Sequence, residues 1–597
     1  QKESPEKLSA SRRRDRNLPK TIEIIKIDTV EAEDAKFNLG YRENGHDLEL
    51  INSGVNLSFY DFFLDSAILE DGDIASFFSN MSMEIDKFSL ALRDSIHTVN
   101  FSKVTLDTKS EEIVFDDFTV IPNDLNGKRG LPVVDAQVPK VSLKTRSLTN
   151  LQRTGDLLVK ELVLLRPEIM LYMDQEQDTR SNGDKEEQLT PDFLKSLSIS
   201  DFIIRDGSLV LKDKSQAKAM NSFQNLSITL HDLHFDLAAA GALNQKFYLN
   251  KDFEFELSDY EVKLPDSLNL LRIGSALLSQ DNLKLRDVSF VPRYGPYAYS
   301  RKVGHQTDVA EVEVPEIILE GINVEKLLGD NTIEAKIARL SNAHALVFRD
   351  KRQPLPAEIH KGMPQELMMK GILEVKLDSL IVENAEVIYR EFPEQGLIPG
   401  ELLFSEMDAT MSPFYVLKDP DQYPHERSRV WAEALLNGQA PMNLHAELFY
   451  QPPFPIQVKV GVGHFELPML NSILKPNVFV SVLDGVIQGG RWQFIADENV
   501  AMGSMTICYN DLQLRLLDER TLKRGTGRKG VLTFVINNLA VRSNNPRKLF
   551  NRLVEGSIYE ERDKSRFIFN YLWKATLSGL KGTAGLGQAK PPKSARD

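Results

Sequence analysis

The stretch Leu197–Leu211, LSISDFIIRDGSLVL, decides the fold. Its apolar residues Leu197, Ile199, Phe202, Ile204, Leu209 and Leu211 stand at offsets 0, 2, 5, 7, 12 and 14, with small Gly207 at offset 10. The spacing returns at Val375, as Leu377, Leu380 and Val382, small Ala385, then Val387 and Tyr389. It returns at Ile25, as Ile27, Val30 and Ala32, small Ala35, then Phe37 and Leu39. From Val480 it reads Val482, Gly485 and Ile487, small Gly490, then Trp492 and Phe494. From Leu271 it reads Ile273, Ala276, Leu278, Leu283 and Leu285, with Asp281 in the small position, and a looser copy ends in Val163, Leu165, Met170 and Tyr172.

Period-two alternation of Ile, Val, Leu and Phe signals strands. Offsets 7 and 10 are three apart, as are the residues that flank a two-residue hairpin turn. Asp206, Asn384 and Asp34 lie between them, and Asp and Asn tolerate tight backbone geometry. The step from offset 2 to 5 breaks the alternation and predicts a β-bulge that bends the strand. Each copy is therefore expected to be a bent hairpin with one apolar face, and Glu374, Lys376 and Asp378 alternate onto the other. The copies recur without a change of composition. This predicts a mainly β fold: one long, twisted antiparallel sheet curled into a U-shaped apolar groove. Roughly 25 to 35 strands at about 4.8 Å spacing give a groove on the order of 120–170 Å long.

Around this pattern the chain divides into a polar linker (1–20), a repetitive β-groove (21–478), a C-terminal β region (479–561), an amphipathic helical end (562–587) and a disordered tail (588–597). Short helices are expected at Thr190–Leu197, Ile322–Leu328, Pro468–Leu474 and Pro546–Val554, each marked by a capping residue or a proline at its start. Asp174–Gln188, Arg349–Gln365 and Lys418–Arg429 read as solvated loops.

Composition narrows the function. Lys+Arg 72 against Asp+Glu 86 gives a net charge of −14 over 597 residues. That balance argues against a nucleic-acid partner, which requires surplus cations to release counterions. A hydrophobic content of 42% excludes wholesale disorder. A single cysteine, Cys508, allows neither an intrachain disulfide nor a thiolate metal cage. No apolar window is long enough for a spanning helix. The chain opens on Gln1 rather than Met, so it is expected to be processed or a fragment.

The segments FLKSLSISDFIIRDGSLVLKD and LEVKLDSLIVENAEVIYRE resemble repeats of AsmA-like proteins of the Gram-negative envelope, relatives of TamB. The succession VSVLDGVIQGGRWQFIAD, MGSMTICYNDLQLRLLDE, LTFVINNLAVRSNNPR and SIYEERDKSRFIFNYLWKATLSGLKGTAGL is similar to the end of that family. The resemblance implies an inner-membrane anchor, absent from this chain, and a periplasmic β-groove that carries phospholipid between membranes. It implies no catalytic residue and no cofactor. Envelope proteins and either membrane surface are the partners to expect.

The chemistry of lipid transfer agrees. Exposing acyl chains costs about 0.8 kcal/mol per CH₂, so two chains of roughly 15 methylenes cost on the order of 20 kcal/mol. An unbroken apolar face removes that cost. Its expected lining is Ile25, Ile27, Val30, Phe37 and Leu39, then Ile199, Phe202, Ile204, Leu209 and Leu211, then Leu377, Leu380, Val382, Val387 and Tyr389, and finally Val482, Ile487, Trp492 and Phe494. The segment Arg562–Lys581 carries Phe567, Phe569, Tyr571 and Trp573 beside cations such as Lys574. It is read either as a helix lying in a membrane interface or as a lid packed on the last strands.

Other motifs are weak. Gly525-Thr-Gly527-Arg-Lys-Gly530 matches GxGxxG, but strand-like VLTFVI follows where the dinucleotide fingerprint needs a helix. His231 and His234 lie three apart in strand-like sequence, which puts them on opposite faces, so a shared metal is not expected. Two rival readings stand beside the lipid groove. One is an interaction protein of closed β-sandwich modules. The other is a carbohydrate-active β-solenoid, whose rungs recur every 20 to 25 residues or so, against roughly 70 to 105 between most copies here.

Overall fold

Among the described residues, the apolar positions of every copy lie on strand. The computed structural model describes residues 24–35, 38–43, 46–51, 54–65, 77–91, 96–124, 133–145, 156–173, 196–214, 219–236, 253–264, 266–329, 332–355, 360–371, 373–417, 426–524, 541–547, 552–566 and 568–589. Over these the chain is mainly β, with a 26-stranded sheet, a separate two-stranded hairpin (Asn38–Glu43 with His46–Ile51) and a few short helices. It divides into two compact units, Gln1–Ser258 and Asp259–Asp597.

In the first unit, strand Ile24–Ala35 pairs with Val55–Asp65. Antiparallel neighbours follow at Asn80–Ala91, His97–Asp107, Glu112–Pro122, Val133–Thr145 and Asp156–Leu165. Strand Ser196–Asp213 then runs parallel to both Asp156–Leu165 and Glu168–Met173, and antiparallel to Ala219–Asp236.

The second unit repeats this device. Strand Glu374–Phe392 runs parallel to both Thr332–Ser341 and His344–Asp350. In each unit the two shorter strands are separated at a residue in the left-handed region, Arg166 (φ 47°) or Asn342 (φ 55°). Each stands beside a left-handed residue of the long strand, Asp206 (φ 52°) or Asn384 (φ 51°), and Asn384 Nδ2 donates to Asn342 Oδ1 at 2.8 Å. Antiparallel strands Gly400–Ser412, Arg427–Leu436, Ala440–Phe449, Ile456–Val462, Val480–Ala496, Val500–Leu516 and Gly556–Glu561 complete the unit.

The hairpin reading of the repeat holds for one copy and is corrected for the other five; in the looser copy Asp156–Leu165 and Glu168–Met173 run the same way along Ser196–Asp213. Asn269–Leu278 and Asn282–Pro292 form a true hairpin, with Leu278 opposite Leu283. Copies from Leu197, Val375 and Val480 each lie within one strand of 17 to 19 residues. The copy from Ile25 stays in one strand as far as Ala35. A type I′ turn needs two consecutive left-handed residues. Asp206, Asn384 and Asp34 (φ 53°) supply one each, so the chain bends and continues. The ladder shifts by one residue there, between Ile204 and Gly207 and between Val382 and Ala385. The small residue at offset 10 has a packing cause. A Cβ on Gly207 would stand 3.0 Å from Pro167 Cγ, and one on Gly490 would stand 2.8 Å from Ile507 Cγ1.

The bulge predicted between offsets 2 and 5 is found in the copy from Val480, where the register shifts between Val482 and Asp484. In the copies from Ile25, Leu197 and Leu271 it is corrected, because the register runs on unshifted and a left-handed residue stands on the neighbouring strand instead. Asp28, Ser200 and Gly274 face Asp61, Asp232 and Asp287, each with φ between 51° and 54°. Asp117 (φ 50°) and Asp287 in turn face Pro139 and Pro315, which have no backbone N–H to leave unpaired where the ladder opens.

Helices follow the sequence in part. Val324–Gly329 and the pair Leu467–Leu470 and Asn471–Val478 lie where expected. Pro296–Val303 and Pro364–Met368 are additional. The described residues of Pro546–Val554 are not helical, and residues 174–188 and 190–195 lie outside the described residues. The stretch Arg349–Gln365 is not simply solvated, because Arg349, Asp350, Met363 and Gln365 are buried. Gln365 Nε2 donates to the carbonyls of Phe449, Phe454 and Pro455, all at 3.2 Å, which ties this segment to the sheet.

Candidate functional site

Strand register assembles the apolar positions into rows. In the first unit one row runs through Leu57, Met83, Leu106, Ile113, Leu143, Leu162, Phe202, Leu230 and Phe253, each opposite the next. A second row on the same face runs through Val55, Ile85, Val104, Phe115, Val141, Leu164, Ile204, Ile228 and Phe255. Most members of the first row are half-buried. Phe88 stacks on Phe101 at 4.8 Å, and Phe101 meets Phe115 edge-on at 5.3 Å.

The second unit has the same construction. Ala276, Leu285, Ile317, Leu340, Val382, Ala409, Ala432, Leu444, Val460, Trp492 and Met505 stand opposite one another in turn. Leu380, Met411, Val430, Ala446, Val458 and Phe494 make a parallel row two residues along each strand. The other face carries cross-strand ion pairs, among them Lys284–Glu316 at 2.5 Å and Arg429–Glu447 at 3.3 Å. In the first unit Lys103–Glu84 (2.7 Å) and Lys144–Glu161 (2.9 Å) occupy the corresponding face.

Burial along these rows changes toward the C-terminus. Leu380, Val382, Met411 and Val430 are half-buried, whereas Val458, Phe494 and Met505 are buried. At this end the rows share a core with Met363 and with the helix Ile568–Ala584. The helix turns Ile568, Tyr571, Ala575, Gly579 and Gly582 toward the sheet, a spacing of three and four that places them on one side. Ile568, Tyr571 and Ala575 join Phe494, Met505, Ile507 and Ile558 in one core. A Cβ on Gly556 would lie 2.0 Å from Gly579 O, so helix and strand backbones touch.

The predicted lining residues separate accordingly. Phe202, Ile204, Leu380, Val382, Trp492 and Phe494 belong to the rows traced above. Ile199, Leu377, Val482 and Ile487 are buried, and Leu209, Leu211, Val387 and Tyr389 are half-buried. Ile25 and Val30 are half-buried and Ile27 is 42% exposed. Phe37 and the side chain of Leu39 lie outside the described residues, as does Phe567. Of the residues assigned to a membrane surface, Phe569 and Trp573 are half-buried and Lys574 is exposed. Tyr571 is corrected: it is 2% exposed and held inside the core, where burial pushes its phenol above the ordinary value.

Polar contacts fix the start of this helix. Arg566 Nη1 donates to Gln306 Oε1 at 2.7 Å, and Gln306 Nε2 donates to the carbonyls of Lys351 and Gln353 at 3.0 Å. The Lys361 N–H donates to Lys564 O at 2.9 Å, and Arg562 Nη2 donates to Lys361 O. Burial lowers the pKa of both Arg562 and Lys361. Tyr389 packs its ring 4.9 Å from Phe569 and gives its hydroxyl to Glu391 Oε2 at 2.7 Å. Burial and then the Glu391 charge push that phenol far above its usual range. Further along, Ser557 N–H donates to Gln588 Oε1 (2.8 Å) and Tyr559 N–H to Ser578 Oγ (3.1 Å), so side chains occupy the outer edge of the last strand. None of these tertiary contacts was visible in the local sequence pattern.

The two histidines are held by local partners. His231 Nδ1 lies 2.7 Å from Asp201 Oδ1, and His234 Nδ1 lies 2.9 Å from Ser198 Oγ, each across a strand pair. The GxGxxG string lies outside the described residues. His360, Glu366 and Glu498 bring ligand atoms within 4.8 Å of one another. There Glu366 already accepts the Met363 N–H at 2.6 Å, and the Arg562 charge acts on both carboxylates. No family model and no curated protein matches this chain.

Proposed function

We propose that this protein is a non-enzymatic phospholipid guide of the Gram-negative periplasm, in which acyl chains lie on the apolar rows of the sheet. The observation that carries the reading is the unbroken apolar register within each unit, much of it only half-buried, backed by a face of cross-strand ion pairs. A closed sandwich buries its inner face fully, because exposed apolar area costs about 25 cal/mol per Å². A half-buried row across many strands instead leaves area for a second apolar body. The resemblance of the repeats to AsmA-like sequences points the same way, and it is the ground for placing the protein in the periplasm beside a membrane.

The C-terminal helix has a matching place in this reading. Trp573, Leu577 and Leu580 lie on the side away from the core, and Leu580 is 37% exposed. Lys574 and Lys581 flank them and are exposed. Aromatic and aliphatic residues beside lysines suit a lipid interface.

Mass spectrometry of lipids extracted from the purified full chain tests the proposal. Phospholipid at stoichiometric or greater amounts is the expected result. A lipid-free protein that also takes none up from vesicles ends it.

A further inference from the structure

One cleft of about 450 Å³ lies in the second unit, beside the point where Tyr389 and Phe569 meet. Its floor is Glu391, already satisfied by Lys351 Nζ at 2.5 Å, Asn477 Nδ2 at 3.1 Å and the Tyr389 hydroxyl at 2.7 Å. The other charged groups fall into two sets. Arg566 stands just before the C-terminal helix, and Asn570 and Lys574 follow on its first turns at intervals of four residues. Glu394 and Glu519 come from two other segments and are both exposed. Arg566 is held in place by Gln306 and lies 3.5 Å from Asp563, whereas Lys574 reaches only to Glu560 at 3.9 Å.

This arrangement selects against simple ions. An anion drawn to Arg566 and Lys574 meets the two glutamates, and a cation drawn to the glutamates meets the helix cations. A group carrying both charges satisfies both sets. Tyr389 joins the cleft to the apolar face, since its ring packs on Phe569 while its hydroxyl binds the floor.

We propose that this cleft receives a phosphoethanolamine headgroup, phosphate toward Arg566 and Lys574 and ammonium toward Glu394 and Glu519, with the acyl chains of the same lipid on the apolar rows. The inference rests on the lipid-guide reading and adds a headgroup preference to it.

The test loads the full chain from vesicles containing equal phosphatidylethanolamine and phosphatidylglycerol, then measures both in the recovered protein. Enrichment of phosphatidylethanolamine by about fivefold is expected, the equivalent of about 1 kcal/mol. The Arg566→Gln/Lys574→Gln variant should return the ratio to that of the vesicles. The Glu394→Lys/Glu519→Lys variant, altered only at exposed positions, should reverse it in favour of phosphatidylglycerol. A vesicle-like ratio in the unaltered chain, or a ratio that the glutamate variant does not move, overturns the headgroup site and leaves the lipid guide standing. Capture of neither lipid removes both. Calorimetry with soluble glycerophosphoethanolamine separates a lipid headgroup from a free one. Binding weaker by about tenfold or more than that of a short-chain phosphatidylethanolamine supports the lipid, because each buried CH₂ adds to affinity, and equal binding overturns it.

Discussion

Gly556 of the last strand and Gly579 of the C-terminal helix lie in backbone contact, such that a Cβ on Gly556 would come within 2.0 Å of Gly579 O. A Cβ on Gly579 meets side chains instead, Ile558 Cγ1 at 2.7 Å and Met505 Cβ at 3.0 Å. Backbone yields less readily than side chain. Gly556→Ala should therefore destabilise this end by about 1–3 kcal/mol and Gly579→Ala by less. Denaturant unfolding, with limited proteolysis at the helix, measures both; equal costs would contradict the contact.

A charge placed in an apolar row should interrupt lipid loading. Phe202→Asp in the first unit and Val382→Asp in the second occupy half-buried positions, so the fold should survive. Co-extracted phospholipid should fall by about fivefold or more, since a carboxylate on the row must be desolvated wherever a chain lies over it. Circular dichroism checks that strand content is unchanged.

The left-handed residues make a backbone prediction. Asp206 holds φ 52° inside a strand. Asp206→Val should cost about 1–2 kcal/mol, because a β-branched side chain clashes there. Asp206→Gly should cost less than about 1 kcal/mol. Urea midpoints at constant slope give the comparison.

Tyr509 sets an alkaline limit. It is buried, its hydroxyl donates to Arg542 O at 3.1 Å, and burial pushes the phenol up to about 12. The unfolded phenol titrates near 10. Its contribution to stability is complete below pH 10 or so and declines as pH rises through the folded value. Tyr509→Phe should flatten the loss of stability across that interval. Asp350 acts at the other end: the Arg352 hydrogen bond holds its carboxyl below the ordinary value of 3.8. That contribution is present above pH 4 or thereabouts and lost as pH falls further, and Asp350→Asn should remove it.

The outward side of the C-terminal helix should govern vesicle binding. Trp573→Ser with Leu580→Ser should weaken flotation with liposomes by about tenfold, given the apolar area removed. Tyr571→Ser should instead lower the melting temperature, since that ring lies in the core. Undiminished flotation after deletion of 562–587 would exclude an interfacial role.

Much of the fold was legible because period-two alternation is local. Ile199, Phe202 and Ile204 announce a strand and its bend whatever stands beside them. The left-handed preference of Asp206 and Asn384 was also legible, but not its consequence, since a bend and a reversal differ only in whether the next residue joins it. Pairing is not local. Nothing in Glu374–Phe392 says that it runs parallel to Thr332–Ser341, or that Gln306 will meet Arg566 260 residues away. The burial of Tyr571 was hidden for the same reason, because a helix with aromatic residues on two sides does not reveal which side the sheet takes.

The edge of the last strand has a consequence for assembly. A long sheet that ends in free backbone donors is a template on which a second molecule can lay its own strand. Here Ser578 and Gln588 have taken the donors of Tyr559 and Ser557. At this terminus two side chains hold backbone donors that an added strand would need.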